Sequence, residues 1–211
     1  MIVITGDKKN EMNISSFKDV CAKRNKIILD LGTGDGKFVY KNALKNKDNL
    51  YIGLDPAEKQ IKIYSKKSNR KRLKNTLYVL GSLEKMPEEL YSTIVKVFVN
   101  LPWGTLLEKI VKSNEAYTEE LSKILKAGGE IEIVFGYLPE LEPSETERLG
   151  LPKIENESDV LKAFSTFKKM FEVIEMKRLL KEDLERIETT WAKKLKFGKD
   201  RFIYKIVLKK I

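Results

Sequence analysis

Ile27-Ile28-Leu29-Asp30-Leu31-Gly32-Thr33-Gly34-Asp35-Gly36 decides the fold of this chain. A short apolar run ends on an acidic residue, and three glycines then alternate with polar residues. The apolar run reads as a buried strand. The glycines read as a turn whose backbone must pass close to a ligand. Lys37–Leu44 follows as a helix. Strand, glycine loop and helix form the crevice unit with which open α/β sheets hold nucleotide cofactors.

A dinucleotide fingerprint needs a glycine where this chain has Lys37, and no Gly-Lys-Ser/Thr is present to cradle phosphates. The loop instead resembles the acidic-Gly-x-Gly-x-Gly motif of class I S-adenosylmethionine-dependent methyltransferases, in which a phosphate-free nucleoside lies against bare backbone. A second apolar run, Leu50–Leu54, ends on Asp55 and Pro56. An acidic residue about 20 positions beyond the glycine loop suits the ribose hydroxyls, because an ionised carboxylate offers only acceptors to a vicinal diol. Asp55 alone also reads as a helix N-cap ahead of Pro56. Loop, spacing and strand ends together favour the cofactor reading.

With 211 residues and 42% hydrophobic content, the chain has the size of one α/β domain, residues 1–211. No apolar run reaches the roughly 20 residues of a membrane span, and Met1–Gly6 is too short for a signal-peptide core. A single cysteine, Cys21, allows no intrachain disulfide, so the expected location is a reducing cytoplasm and Cys21 is a packing residue. The chain has no histidine, which removes histidine general bases, histidine metal ligands and Ser-His-Asp arrangements; no metal is expected. The 41 Lys and Arg outnumber the 31 Asp and Glu, for a net charge of +10. A polyanionic partner would explain this balance, nucleic acid first. A lysine-rich composition with solvated charges gives the same total, so clustering is the better guide.

Ile2–Ile4 and Met12–Ile14 flank a polar turn and read as an N-terminal β-hairpin within residues 1–15. Strands are expected at 27–31, 50–55, 77–81, 94–100, 130–135, 171–179 and 202–208, the last two antiparallel. Helices are expected at 16–24, 37–44, 57–65, 115–126 and 160–171. This alternation predicts a doubly wound, mostly parallel, seven-stranded Rossmann-like sheet with the hairpin as an extension.

Leu101-Pro102-Trp103-Gly104 follows the fourth of these strands, at the edge where open α/β sheets bind ligands. It resembles the Asn/Asp-Pro-Pro-aromatic loop of nucleic-acid adenine methyltransferases, with Leu101 replacing the first proline. Trp103 there reads equally as a base-stacking ring or as a ring packed under the loop. Trp191 stands among Lys193, Lys194, Lys196, Lys199 and Arg201, just before the last strand. Two such tryptophans can sandwich one flipped base. Trp191 and Leu195 are also spaced as the core face of an amphipathic helix. Lys194, Lys199 and Arg201 are candidate phosphate or acceptor-nucleotide contacts. Lys66-Lys67-Ser68-Asn69-Arg70-Lys71-Arg72-Leu73-Lys74 is the densest basic run and contains no acid, which favours phosphate contacts over a solvated loop.

Asp30–Gly36, Tyr51–Pro56, Leu101–Glu108 and Trp191–Leu195, in this order, resemble the Kam/Npm-type aminoglycoside-resistance methyltransferases over nearly the whole chain. The resemblance implies S-adenosylmethionine-dependent methylation of N1 of adenosine 1408 in 16S rRNA within the 30S subunit. It implies a cofactor pocket of Asp30, Gly32, Thr33, Gly34 and Asp55, with Pro56, Leu83 and Glu84 around the adenine and Leu101 and Pro102 completing it. It implies that Trp103 and Trp191 grip the target adenine, and that Thr189 or Thr190 positions the Trp191 segment. Lys66, Lys67, Arg70 and Lys71 match an rRNA-docking patch, and Lys194, Lys199 and Arg201 stand near the target nucleotide. Lys194 and Lys199 replace arginines and lack the bidentate fork, and Asp200 interrupts the run. The chain is expected to act as a monomer, with no acid or base catalyst. Alternatives are another RNA methyltransferase, such as one acting on guanine N7 of tRNA, a dinucleotide oxidoreductase, which Lys37 opposes, or a non-catalytic RNA-binding protein, which would lack the intact Asp30–Gly36 and Asp55 pair.

Overall fold

The computed structural model describes residues 1–211. The elements run β1 (Ile2–Thr5), β2 (Lys8–Glu11), α1 (Ile14–Ala22), β3 (Ile27–Leu31), α2 (Lys37–Lys45), β4 (Leu50–Asp55), α3 (Glu58–Arg70) and β5 (Thr76–Leu80). They continue with β6 (Ile94–Asn100), α4 (Gly104–Val111), α5 (Glu115–Ile124), β7 (Leu125–Phe135), α6 (Pro143–Leu149), α7 (Glu157–Ala163), β8 (Phe171–Leu179), α8 (Thr190–Lys196) and β9 (Ile203–Lys210). No helix is long and apolar enough to cross a membrane.

One mixed sheet of nine strands runs through the molecule in the order β2-β1-β5-β4-β3-β6-β7-β9-β8. The central strands β5, β4, β3, β6 and β7 are parallel, and both edges are antiparallel. The sheet thus has nine strands where the sequence pattern predicts seven. The hairpin is not a separate appendage, because β1 pairs with β5 through Ile2 and Val3 and carries the sheet outward. From β3 the chain winds outward on one side through β4 and β5, then crosses to β6 on the other. The switch point therefore lies at the carboxyl ends of β3 and β6, where such sheets bind ligands.

Both β3 and β4 are buried along their whole length, as expected for strands covered on two faces. Their side chains alternate between two apolar layers. Leu29, Leu31, Ile52 and Leu54 pack with Phe17 of α1 and with Leu107, Ile110 and Leu121 of α4 and α5. Ile28 and Tyr51 face the other way, toward Val39 and Ala43 of α2 and Ile61 of α3.

Two helices differ instructively from the sequence expectation. The helix expected at 57–65 continues to Arg70, so Lys66, Lys67 and Arg70 are helical rather than in a loop, and Lys71 caps it. Nothing in that segment breaks a helix, and its terminal cations suit the negative end of the macrodipole. The helix expected at 160–171 divides into α7 and a 3-10 turn at Ser165–Lys169, which stacks Phe164 and Phe167 beneath β8. Helices α4 and α6 had no counterpart in the sequence reading.

Candidate functional site

The glycine loop leaves β3 in a run of left-handed backbone. Gly32, Gly34 and Gly36 have φ of 74°, 56° and 81°, values that L side chains rarely adopt. The three positions differ in what surrounds them. A Cβ on Gly32 would meet the Leu106 side chain at 2.5 Å, and one on Gly36 would meet the Tyr78 ring at 2.5 Å. A Cβ on Gly34 would meet nothing within 4 Å. Gly32 and Gly36 thus press the loop against α4 and β5, while Gly34 presents bare backbone to the crevice.

Three carboxylates surround that backbone. Asp30, 3% exposed, accepts from Thr33 Oγ1 at 2.5 Å and from Asn100 Nδ2 at 3.1 Å. Burial pushes its carboxyl up to about 6, against the pull of those two donors. Asp55, 8% exposed, accepts from the Gly34 N–H through Oδ2 and from the Ala57 N–H through Oδ1, both at 2.8 Å. Burial raises its pKa as well, and the backbone N–H groups oppose the rise. Asp55 is not the helix N-cap, which is Ala57; its carboxylate instead fixes the turn after β4 and the glycine loop at Gly34. Asp35 accepts from the Lys37 N–H at 3.0 Å and from Thr190 Oγ1 at 2.6 Å. None of Asp30, Asp35 and Asp55 forms a salt bridge, although the chain carries a net charge of +10. Three carboxylates without an ion-pair partner around bare backbone suit a positively charged ligand and repel a pyrophosphate. The residues present thus fit a nucleoside carrying an ammonium and a sulfonium.

Pro56 is exposed beside Asp55, and Leu83 is buried in the turn after β5. Glu84 is ion-paired with Lys109 of α4. Leu101 and Pro102 are buried at the end of β6, where Leu101 takes φ of 52° and its N–H donates to Val134 O at 2.7 Å. Proline cannot reach that dihedral. Leucine at this place therefore makes a turn different from an Asn/Asp-Pro-Pro loop.

That turn delivers Trp103 to the mouth of the crevice, where it is 41% exposed, and Trp191 of α8 is 40% exposed. Their ring centroids lie 6.3 Å apart with planes at 62°, an edge-on contact. A flat base between two parallel rings needs about 7 Å, twice a van der Waals contact. The rings must swing parallel to admit one. What brings them together is a small apolar cluster of Leu101, Val134, Leu179, Leu184, Ala192, Leu195 and Ile203. Helix α8 buries Ala192 and Leu195 in it and leaves Trp191 outside. The amphipathic helix foreseen around Trp191 exists, with the tryptophan off its core face.

Thr189 caps α8 by accepting from the Ala192 N–H at 3.0 Å, and Thr190 ties the helix to Asp35 in the glycine loop. Lys194 lies 5.5 Å from the Trp191 ring centroid, and Lys199 is exposed. Arg201 is engaged elsewhere: it is ion-paired with Glu142 at 2.6 Å, with both side chains mostly covered. In the basic run, Lys66 is paired with Asp7 at 2.8 Å and Lys67 lies 3.9 Å from the Tyr64 ring centroid. Arg70 and Lys71 are exposed. Sequence reasoning did not single out Asn100 or Asp35 as individual site residues. The only available signal was their position at a strand end and inside the glycine loop. No group of three or more His, Cys, Asp or Glu side chains is placed to hold a metal.

The fold and this crevice define a methyltransferase with a nucleoside cofactor at the switch point. The family model described as NpmA, 16S rRNA (adenine(1408)-N(1))-methyltransferase, matches residues 2–210. An Escherichia coli 16S rRNA (adenine(1408)-N(1))-methyltransferase is 29% identical over 98% of this chain and 97% of its own. The solved 30S ribosomal A1408 methyltransferase from an uncultured bacterium is 38% identical with a TM-score of 0.79, covering 100% of both chains. The aminoglycoside resistance methyltransferase NpmB1 is 30% identical with a TM-score of 0.82, again over 100% of both. The chain belongs to the NpmA family: it is an S-adenosylmethionine-dependent enzyme that methylates N1 of adenosine 1408 in 16S rRNA.

Proposed function

We propose a division of labour within this site. Asp30, Thr33, Gly34 and Asp55 hold the methyl donor, with Pro56, Leu83, Leu101 and Pro102 around it. Trp103 and Trp191 hold the flipped adenine of a 30S subunit, and Lys194, Lys199 and the exposed end of α3 hold its backbone. The observation that carries this reading is the contact between two exposed indoles, Trp103 at the carboxyl end of β6 and Trp191 on a helix whose Thr190 is bonded to Asp35 of the glycine loop. The donor supplies a methyl group on a cationic sulfur, whose departure needs no metal. N1 of neutral adenine has an in-plane lone pair and no proton, so the chain needs no base and its lack of histidine costs nothing. Its task is to orient and hold the ring against the methyl group. The product ring is cationic, and indole faces favour a cation. Arg201 contributes to RNA contact only by leaving Glu142, so its first role is to anchor the segment before β9. We assign the chain to the cytoplasm, to action as a monomer, and to aminoglycoside resistance through the altered decoding site.

Labelled methyl transfer to purified 30S subunits, free 16S rRNA and tRNA tests this reading. Incorporation into 30S subunits above the other two supports it. Incorporation into tRNA alone overturns it.

A further inference from the structure

A groove of about 360 Å³ runs between α2 and the segment that carries α8. Lys37 and Lys41 of α2 stand along one wall, Lys193 and Phe197 along the other. Lys37 and Lys41 are four residues apart and so share one helix face. Two carboxylates also line the groove, and each is already neutralised: Glu185 by Lys196 and Glu188 by Lys45. Lys37, Lys41 and Lys193 have no ion-pair partner. The groove is therefore cationic by three charges. Phe197 on its rim is 76% exposed, with the Lys196 ammonium 5.4 Å from the ring centroid. No packing reason exists for so exposed an aromatic.

The place of the groove in the molecule gives it meaning. It begins at Thr189, two residues from Trp191, and at Lys37, two residues from the Asp35 that holds Thr190. On its other flank α2 packs on α3 through Tyr40 and Tyr64, 5.3 Å between ring centroids. Helix α2 thus lies between the exposed cations of α3 and the target-base tryptophans. Three unpaired lysines and an exposed ring are the materials of single-strand binding, in which cations track the backbone and an aromatic face stacks a base.

We propose that this groove holds the single-stranded rRNA next to the flipped adenine, with Lys37, Lys41 and Lys193 on its phosphates and Phe197 against one of its bases. This rests on the functional reading above and extends it. A nucleotide can leave its stack only if its neighbours' backbone bends with it, and the groove is where the protein can grip that bend.

The test uses the full chain and 30S subunits. Binding is measured across a salt series for the wild type, for the triple variant Lys37→Gln/Lys41→Gln/Lys193→Gln, and for Phe197→Ala. The triple variant should bind about tenfold or more weakly, and its slope of log affinity on log salt should fall by roughly 2, about 0.7 for each lost phosphate contact to a single strand. Phe197→Ala should weaken binding about tenfold with the salt slope intact, since stacking releases no counterion. Affinity for the methyl donor, measured by calorimetry, should be unchanged in all of them and shows that each is folded. A photocrosslinker at position 197 should attach to 16S rRNA. If the wild type methylates 30S subunits while the triple variant keeps its affinity and slope, the groove proposal alone is wrong. Crosslinks to ribosomal proteins only would also overturn it. If the wild type transfers no methyl group to 30S subunits, the functional reading fails and the groove proposal with it.

Discussion

Asp30 and Asp55 are buried at strand ends and fixed by Thr33, Asn100 and the backbone of Gly34 and Ala57. Trp103 and Trp191, at the other side of the same crevice, are exposed and touch each other only edge-on. The acidic half is part of the main core, because its residues continue β3 and β4. The aromatic half rests on a small cluster around Leu101 and Leu195, and Thr190 ties its helix to the acidic half through Asp35. A rigid half suits a small cofactor that always has the same shape. A half that can open suits a base that must be inserted from a ribosome. Loss of function should therefore separate cleanly: cofactor affinity on one side, turnover with the RNA on the other.

The largest expected effect is on the rigid side. Asp55→Ala removes a hydrogen-bonded carboxylate that also holds Gly34. Hydrogen bonds to charged groups contribute about 1.5–3 kcal/mol, so donor affinity should fall about tenfold to a hundredfold by calorimetry. A change in RNA binding with donor affinity intact would break the division between the halves.

Next come the rings. Trp103→Ala and Trp191→Ala should each slow methylation about tenfold to a hundredfold, the equivalent of about 1–3 kcal/mol of base stacking. Phe at either position should be milder. Because both rings are exposed, thermal melting and donor affinity should hardly change. Unfolding in either variant would place the tryptophans in the core instead.

The third effect is one of pH. With its carboxyl pushed up to about 6 by burial, Asp30 is protonated in the free protein below that value. A cationic donor prefers the ionised form, so affinity should fall by about tenfold per pH unit as pH drops below about 6. Stability of the free protein follows the opposite sign. The folded pKa lies above the unfolded one, so this group's stabilisation is present below about 4 and lost as pH rises to about 6. The shift corresponds to about 3 kcal/mol. Asp30→Asn should flatten both profiles, as read by calorimetry and by melting across pH.

The smallest effects belong to the docking cations. Arg70→Gln and Lys71→Gln should each weaken 30S binding and lower its salt slope by slightly less than 1. Lys66→Gln should do less, because Lys66 is shared with Asp7. Equal effects at all three positions would show that the Asp7 pair does not persist on the ribosome.

What was legible in the sequence follows this same division. The strands, the glycine loop and Asp55 announce themselves through local patterns, apolar runs closed by an acid and glycines where backbone must be bare. A hairpin was legible, but its second arm was misplaced: β2 is the polar Lys8–Glu11, read as the turn, and Ile14 already opens α1. Its joining to the sheet was not legible at all, since Ile2 and Val3 meet β5 some 77 residues away. Thr190 finds Asp35 across 155 residues, which no local pattern encodes. Lys66–Lys71 was readable as charge but not as a helix end, because nothing in its composition distinguishes a basic turn from a basic last turn. Arg201 looked free in a basic run and is held by Glu142, a partner placed beside it only by the folding of β7 and the segment before β9.

On the reading proposed above, Trp103 and Trp191 act together on one adenine. Single-turnover methylation of 30S subunits at saturating donor, by the wild type, Trp103→Ala, Trp191→Ala and the double variant, tests it most directly. Two rings that grip the same base lose most of their effect together, so the double variant should be little slower than the worse single one. If the two losses multiply, the rings act independently; if neither single variant is slowed at all, the base is held elsewhere and the account is wrong.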